Sequence, residues 1–207
     1  MRRSLYATAI FASLCLPLVS SPAANATTVS IVNQDTTVLP GSSVVTAAAS
    51  STGDFIQSTT GTVTNSRVSP FGDTTSAYSV LSSTGAAGSA TYNFAPGTTS
   101  LSFLWGSPDS YNSVMFFSGI GGTGTLLATF TGSDLTPSNP HFGFDLVTFL
   151  AAGGSFASVV LADSGQAAFE YANLAAAPLP AALPLYAAGV GVIGLLARRR
   201  KRRPLSA

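Results

Sequence analysis

Side chains that could do chemistry are few in this chain, and most stand apart from one another. The richest run is Trp105-Gly106-Ser107-Pro108-Asp109-Ser110-Tyr111-Asn112. Trp105 and Tyr111 could offer flat faces for stacking on a sugar. Asp109 and Asn112 could bond its hydroxyls or give oxygens to Ca²⁺, which takes roughly 6–8 such ligands. The competing reading places Trp105 in a core, makes 106–109 a turn, and uses Asp109 and Asn112 to hold backbone amides. Gly119-Ile120-Gly121-Gly122-Thr123-Gly124 matches G-x-G-x-x-G. A dinucleotide site needs a helix next to meet the pyrophosphate. The following Thr125-Leu126-Leu127-Ala128-Thr129-Phe130 reads as a strand, so a hairpin loop is expected. His141 follows Pro140 in a polar loop, with no acid or nucleophile to pair with it, and reads as a surface residue. The chain has no G-x-S-x-G, no H-E-x-x-H and no clustered carboxylates. No catalytic residue and no metal site is expected, and the chain is read as a non-enzyme.

Charge narrows the class further. Charged residues make up 8% of the 207 residues, against roughly 25% in an average soluble protein. The formal net charge of +1 hides a segregation. Arg2 and Arg3 lie at one end, and Arg198, Arg199, Arg200, Lys201, Arg202 and Arg203 at the other. Between them Arg67 stands against eight acids (Asp35, Asp54, Asp73, Asp109, Asp134, Asp145, Asp163 and Glu170), a net of −7. A nucleic-acid binder needs a basic face to displace phosphate counterions, so that class is excluded. One His and one Cys exclude a zinc finger or a disulfide scaffold.

Residues 1–26 read as a secretory signal peptide. Two arginines precede an apolar run from Leu5 to Val19, and small residues end in Ala24-Asn25-Ala26. This is the order of n-region, h-region and A-x-A cleavage site. It predicts passage through the secretory translocon and cleavage by signal peptidase after Ala26. Pro17 and Pro22 argue against a buried helix here. Cys15 would leave with the signal, and the mature chain would hold no thiol.

The C-terminus has three parts. Residues 178–197 form an uncharged stretch of 20 residues, enough to cross a hydrocarbon core of roughly 30 Å as a helix. The six basic residues 198–203 follow and resist translocation, which predicts an N-out, C-in topology. The transmembrane helix is expected at about 182–197, and Pro178, Pro180 and Pro184, which crowd the outer end, limit its uninterrupted part to Leu185–Ala197. An extended peptide at the mouth of a short span is open to a membrane-embedded protease.

Ala177-Pro178-Leu179-Pro180-Ala181, the short span and the basic cluster together resemble the VPLPA-type sorting signals of the PEP-CTERM class of Gram-negative bacteria. Ala177 stands where that family has Val. The resemblance implies processing by an exosortase, a multi-pass membrane cysteine transpeptidase, and release to the cell surface or extracellular matrix. It also implies association with exopolysaccharide. Three stretches further inside resemble ectodomains often joined to such tails: Ser69-Pro70-Phe71-Gly72-Asp73, a W-G-S-x-D-x-Y-N block at 105–112, and Phe169-Glu170-Tyr171-Ala172-Asn173. Ala172 stands where relatives carry Asp. This second resemblance implies a secreted β-sandwich with no established catalytic activity.

The segment that must position these residues, 27–176, is expected to be one all-β domain, a jelly-roll-like β-sandwich. Short apolar or alternating runs recur at 28–32, 62–64, 77–81, 90–94, 100–105, 113–117, 126–130, 142–149, 156–161 and 167–171, separated by Gly, Pro, Asn, Asp and Ser. Alternation puts Leu101, Phe103 and Trp105 on one face. In the Ser/Thr/Gly-rich text at 38–60, Val44–Ala49 could form a strand, and its surroundings read equally as a loose loop. The function expected is that of an exported, C-terminally anchored surface protein with a structural or interaction role. The alternatives are a calcium- or carbohydrate-binding module and a secreted hydrolase built from acids that converge only on folding.

Overall fold

A computed structural model describes residues 27–35, 43–135 and 144–178. The described residues form eleven strands and two short 3-10 turns. One sheet contains, in spatial order, β1 (Thr28–Asp35), β9 (Phe144–Ala152), β6 (Thr98–Gly106), β11 (Phe169–Pro178), β4 (Tyr78–Leu81) and β3 (Phe55–Thr59). The other contains β2 (Ser50–Gly53), β5 (Gly88–Asn93), β10 (Ser158–Asp163), β7 (Asn112–Phe117) and β8 (Leu126–Thr131). Every neighbouring pair is antiparallel. The chain is therefore all-β, in two antiparallel sheets.

Period-two alternation builds the core between the sheets. Leu101, Phe103 and Trp105 of β6 point inward together, as their spacing predicts, and meet Val114 and Phe116 of β7 and Val159 and Leu161 of β10 in one buried cluster. Aromatic contacts run through it. Trp105 stacks on Phe169 with centroids 5.1 Å apart and on Phe103 at 5.7 Å. Phe149 lies 6.0 Å from Phe103 and 5.1 Å from Phe116. Such pairs add roughly 0.5–1.5 kcal/mol each beyond the area they bury.

The first sheet is also covered on its outer face. Tyr78 and Val80 of β4 and Ala172 of β11 form a second cluster, against which Ile56 and Phe71 pack. This is why all four residues of β4 are buried. The covering segment is the long connection from β3 to β4, and it creates the site described below.

Three differences from the sequence reading stand out. The possible strand at 44–49 is not one, and the text after it forms two strands, β2 and β3, instead of a loose loop. The strand expected at 62–64 is only a single bridge between Val63 and Arg67. The domain boundary drawn after Ala176 falls inside β11, where Ala177 pairs with Ser100 and Pro178 with Thr98. Among the described residues no helix is long and apolar enough to cross a membrane. The expected span at about 182–197 lies outside the described residues. So do Ala24 and Ala26 in the signal 1–26, His141, Leu179, Pro180, Ala181 and the basic cluster Arg198, Arg199, Arg200, Lys201, Arg202 and Arg203.

Candidate functional site

The connection from β3 to β4 makes a tight turn before it packs down on the sheet. Val63 N–H donates to Arg67 O at 2.9 Å, and Arg67 N–H returns to Val63 O at 3.0 Å. Asn65 takes the left-handed conformation this turn requires, with φ of 61°. Asparagine accepts that region more readily than most residues. The chain then descends through Val68, Ser69 and Pro70 onto the ends of β6 and β11. Gly106 at the end of β6 permits the contact. A Cβ there would stand 2.9 Å from Pro70 Cβ and 3.0 Å from Glu170 Cβ.

A cavity of about 280 Å³ lies beneath this turn. Residues 62–68 form one wall, Ser107, Asp109 and Tyr111 a second, and Ala167, Ala168 and Glu170 the third. Glu170 is 1% exposed. Its Oε1 accepts the Val68 N–H at 2.6 Å, while Oε2 has no hydrogen-bond partner. Burial pushes the Glu170 carboxyl up to about 7, against the lowering effect of the Val68 N–H, with nearby Asp109 adding to the rise. Asp109 is 5% exposed and accepts the Tyr111 hydroxyl at 2.6 Å. Burial, reinforced by Asp109, pushes the Tyr111 phenol well above its ordinary value. Arg67 Nε is buried without a hydrogen-bond partner. The cavity is lined by three chain segments, while the two unpartnered atoms, Glu170 Oε2 and Arg67 Nε, are buried out of its reach.

The four residues singled out from the sequence divide sharply. Asp109 and Tyr111 line the cavity. Trp105 is 0% exposed, and its ring is packed between Phe103 and Phe169, so it offers no face to a sugar in solvent. Asn112 is 0% exposed and donates through Nδ2 to Ser107 O at 2.9 Å, which holds the 107–112 turn closed. Asp109 thus lines the cavity, and Asn112 is not among its lining residues.

Arg67 and Glu170 were absent from the sequence candidates. A signal for Glu170 existed: it is the lone carboxylate in the apolar run from Ala167 to Ala172. Arg67 is the single basic residue between the two termini. The stretches 69–73, 105–112 and 169–173 converge at this corner, through Pro70, Gly106 and Glu170. Asn173 fastens the same strand to the segment before β2: Val44 N–H donates to its Oδ1 at 2.6 Å, and its own N–H donates to Val44 O at 2.8 Å. The glycine-rich run 119–124 is a hairpin loop between β7 and β8, with a 3-10 turn at Ile120–Gly122. No family model, curated protein or solved structure shows significant similarity to the chain.

Proposed function

We propose that this chain is an exported surface protein, held in transit by its C-terminal tail and then sorted by an exosortase-type transpeptidase. Its ectodomain serves a structural or interaction role at the cell surface or in the extracellular polysaccharide matrix, and no reaction is assigned to it. The observation that carries the reading is the order of segments: an Arg-led apolar leader ending in A-x-A, an acidic middle, a proline-rich motif, an uncharged span and six terminal basic residues. The fold is read as a jelly-roll β-sandwich. In support, β9-β6-β11-β4 in one sheet face β5-β10-β7-β8 in the other. From β4 onward each connection changes sheet except the β7–β8 hairpin, as two nested Greek keys require.

The proline motif separates sorting from simple anchoring. A permanent anchor gains nothing from Pro178 and Pro180, because proline disfavours the helix that a membrane span needs. Replacing both with Ala should leave membrane insertion intact and stop release, so that full-length protein accumulates in the inner membrane of a host with the processing enzyme. Normal release of the double variant would make the chain an ordinary single-span protein with an exported β domain.

A further inference from the structure

Strand β11 has two unlike halves. Phe169, Glu170, Tyr171 and Ala172 are buried, whereas Ala175, Ala176, Ala177 and Pro178 are exposed. The outer half still pairs with β6: Ala175 stands against Ser102, Ala176 against Leu101, Ala177 against Ser100 and Pro178 against Thr98. Ala177 and Pro178 also open the motif at 177–181, so the sheet of the ectodomain holds the start of that motif. Extended peptides are taken up by strand addition through their main-chain groups, and the ladder with β6 already occupies one edge of this strand. Reach adds a second constraint. About four residue steps separate Pro178 from the span expected at 182, roughly 14 Å at full extension. An enzyme at the membrane surface meets the motif with the folded sheet directly against it. The hold on the motif is nevertheless slight. The exposed alanines bury little, Pro178 has no N–H for the ladder, and the register slips between Ala177 and Pro178. Such an end can open while the core below it stays closed.

We propose that β11 gates its own processing: the outer half must peel from β6 before the transpeptidase can take the motif, so the folded ectodomain sets the rate of its release. The proposal rests on the sorting reading above.

The test is a pulse-chase of the full chain in a host with the processing enzyme, with loss of the tail read by mass. Inserting Gly-Ser-Gly-Ser between Ala176 and Ala177 moves the motif out of the sheet and leaves the motif and span unaltered. This variant should lose its tail about fivefold faster, the factor of one strand hydrogen bond. The opposite variant locks the pair, with Ser100→Cys and Ala177→Cys together. Paired antiparallel residues have Cα atoms roughly 4.5–5.5 Å apart, within the range a disulfide bridges. The oxidised pair should keep its tail and lose it again on reduction, while Ala177→Cys alone measures the effect of altering the motif. Circular dichroism checks each fold, and if the disulfide does not form, the spacer variant decides. The proposal is overturned, with sorting left standing, if the spacer variant is processed at the natural rate or if the oxidised pair is processed as fast as Ala177→Cys alone. If neither the natural chain nor the spacer variant loses its tail, the sorting reading fails and the proposal falls with it.

Discussion

Glu170 Oε1 accepts the main-chain N–H of Val68 at 2.6 Å, joining residues 102 positions apart in the chain. Through this bond the last strand holds the β3–β4 connection down on the sheet. It also fixes the cavity, because Arg67 on the wall directly precedes Val68. The same carboxyl thus anchors a turn with one oxygen and is buried without a hydrogen-bond partner at the other.

That dual use has a cost that depends on pH. Burial pushes the Glu170 carboxyl up to about 7 from 4.5. The folded chain therefore binds a proton that the unfolded chain has released, and Glu170's contribution to stability falls as pH rises from about 4.5 to about 7. Asp145, pushed up to about 6 by burial against a lowering by Gln34, acts in the same direction. Glu170→Gln removes its titration and should stabilise the protein at pH 8, by about 1–3 kcal/mol. Denaturant midpoints at pH 5 and pH 8 check this. The variant should show a smaller loss between the two than the natural chain, and an equal loss would be evidence against a strained Glu170.

Gly106 is expected to resist the smallest possible enlargement. In Gly106→Ala the new methyl stands 2.9 Å from Pro70 Cβ and 3.0 Å from Glu170 Cβ. Both neighbours are fixed, one by its ring and one by the Val68 bond. Overpacking of this kind costs about 1–3 kcal/mol. Chemical denaturation should show that loss, and an unchanged midpoint would mean that the 68–70 segment moves freely.

Trp105 should behave as core and as nothing else. Trp105→Ala should cost about 3–5 kcal/mol, a large share of the roughly 5–15 kcal/mol that holds a typical domain. Trp105→Phe should fold with a smaller loss, because an aromatic ring still fills the place between Phe103 and Phe169. An unchanged denaturation midpoint in Trp105→Ala would contradict a core role.

The sequence pattern exposed those parts of the fold where one face is apolar. The run at 100–105 became β6 and the run at 156–161 became β10, because each alternates between a core face and an outer face. β2 was illegible for the opposite reason. It reads Ser50-Ser51-Thr52-Gly53, lies at a sheet edge and is exposed throughout, so it leaves no apolar period. β11 extends past its apolar run to Pro178 because backbone pairing with β6 continues after the side chains have become small and exposed. The site was half legible. Asp109 and Tyr111 stand two apart, so local reading found them. Arg67 and Glu170 meet one cavity only through the β3–β4 connection and β11, a juxtaposition set by topology and carried by no local motif.

The export and sorting account is tested most directly by the intact mass and terminal residues of the native surface form. The account predicts a chain that begins at Thr27, ends within 177–181 and has lost the basic cluster. With only Arg67 left against eight acids, a net of −7, that form should also focus in the acidic range. A surface form with the full mass of 20.9 kDa, retaining Arg198 and its basic neighbours, would contradict it.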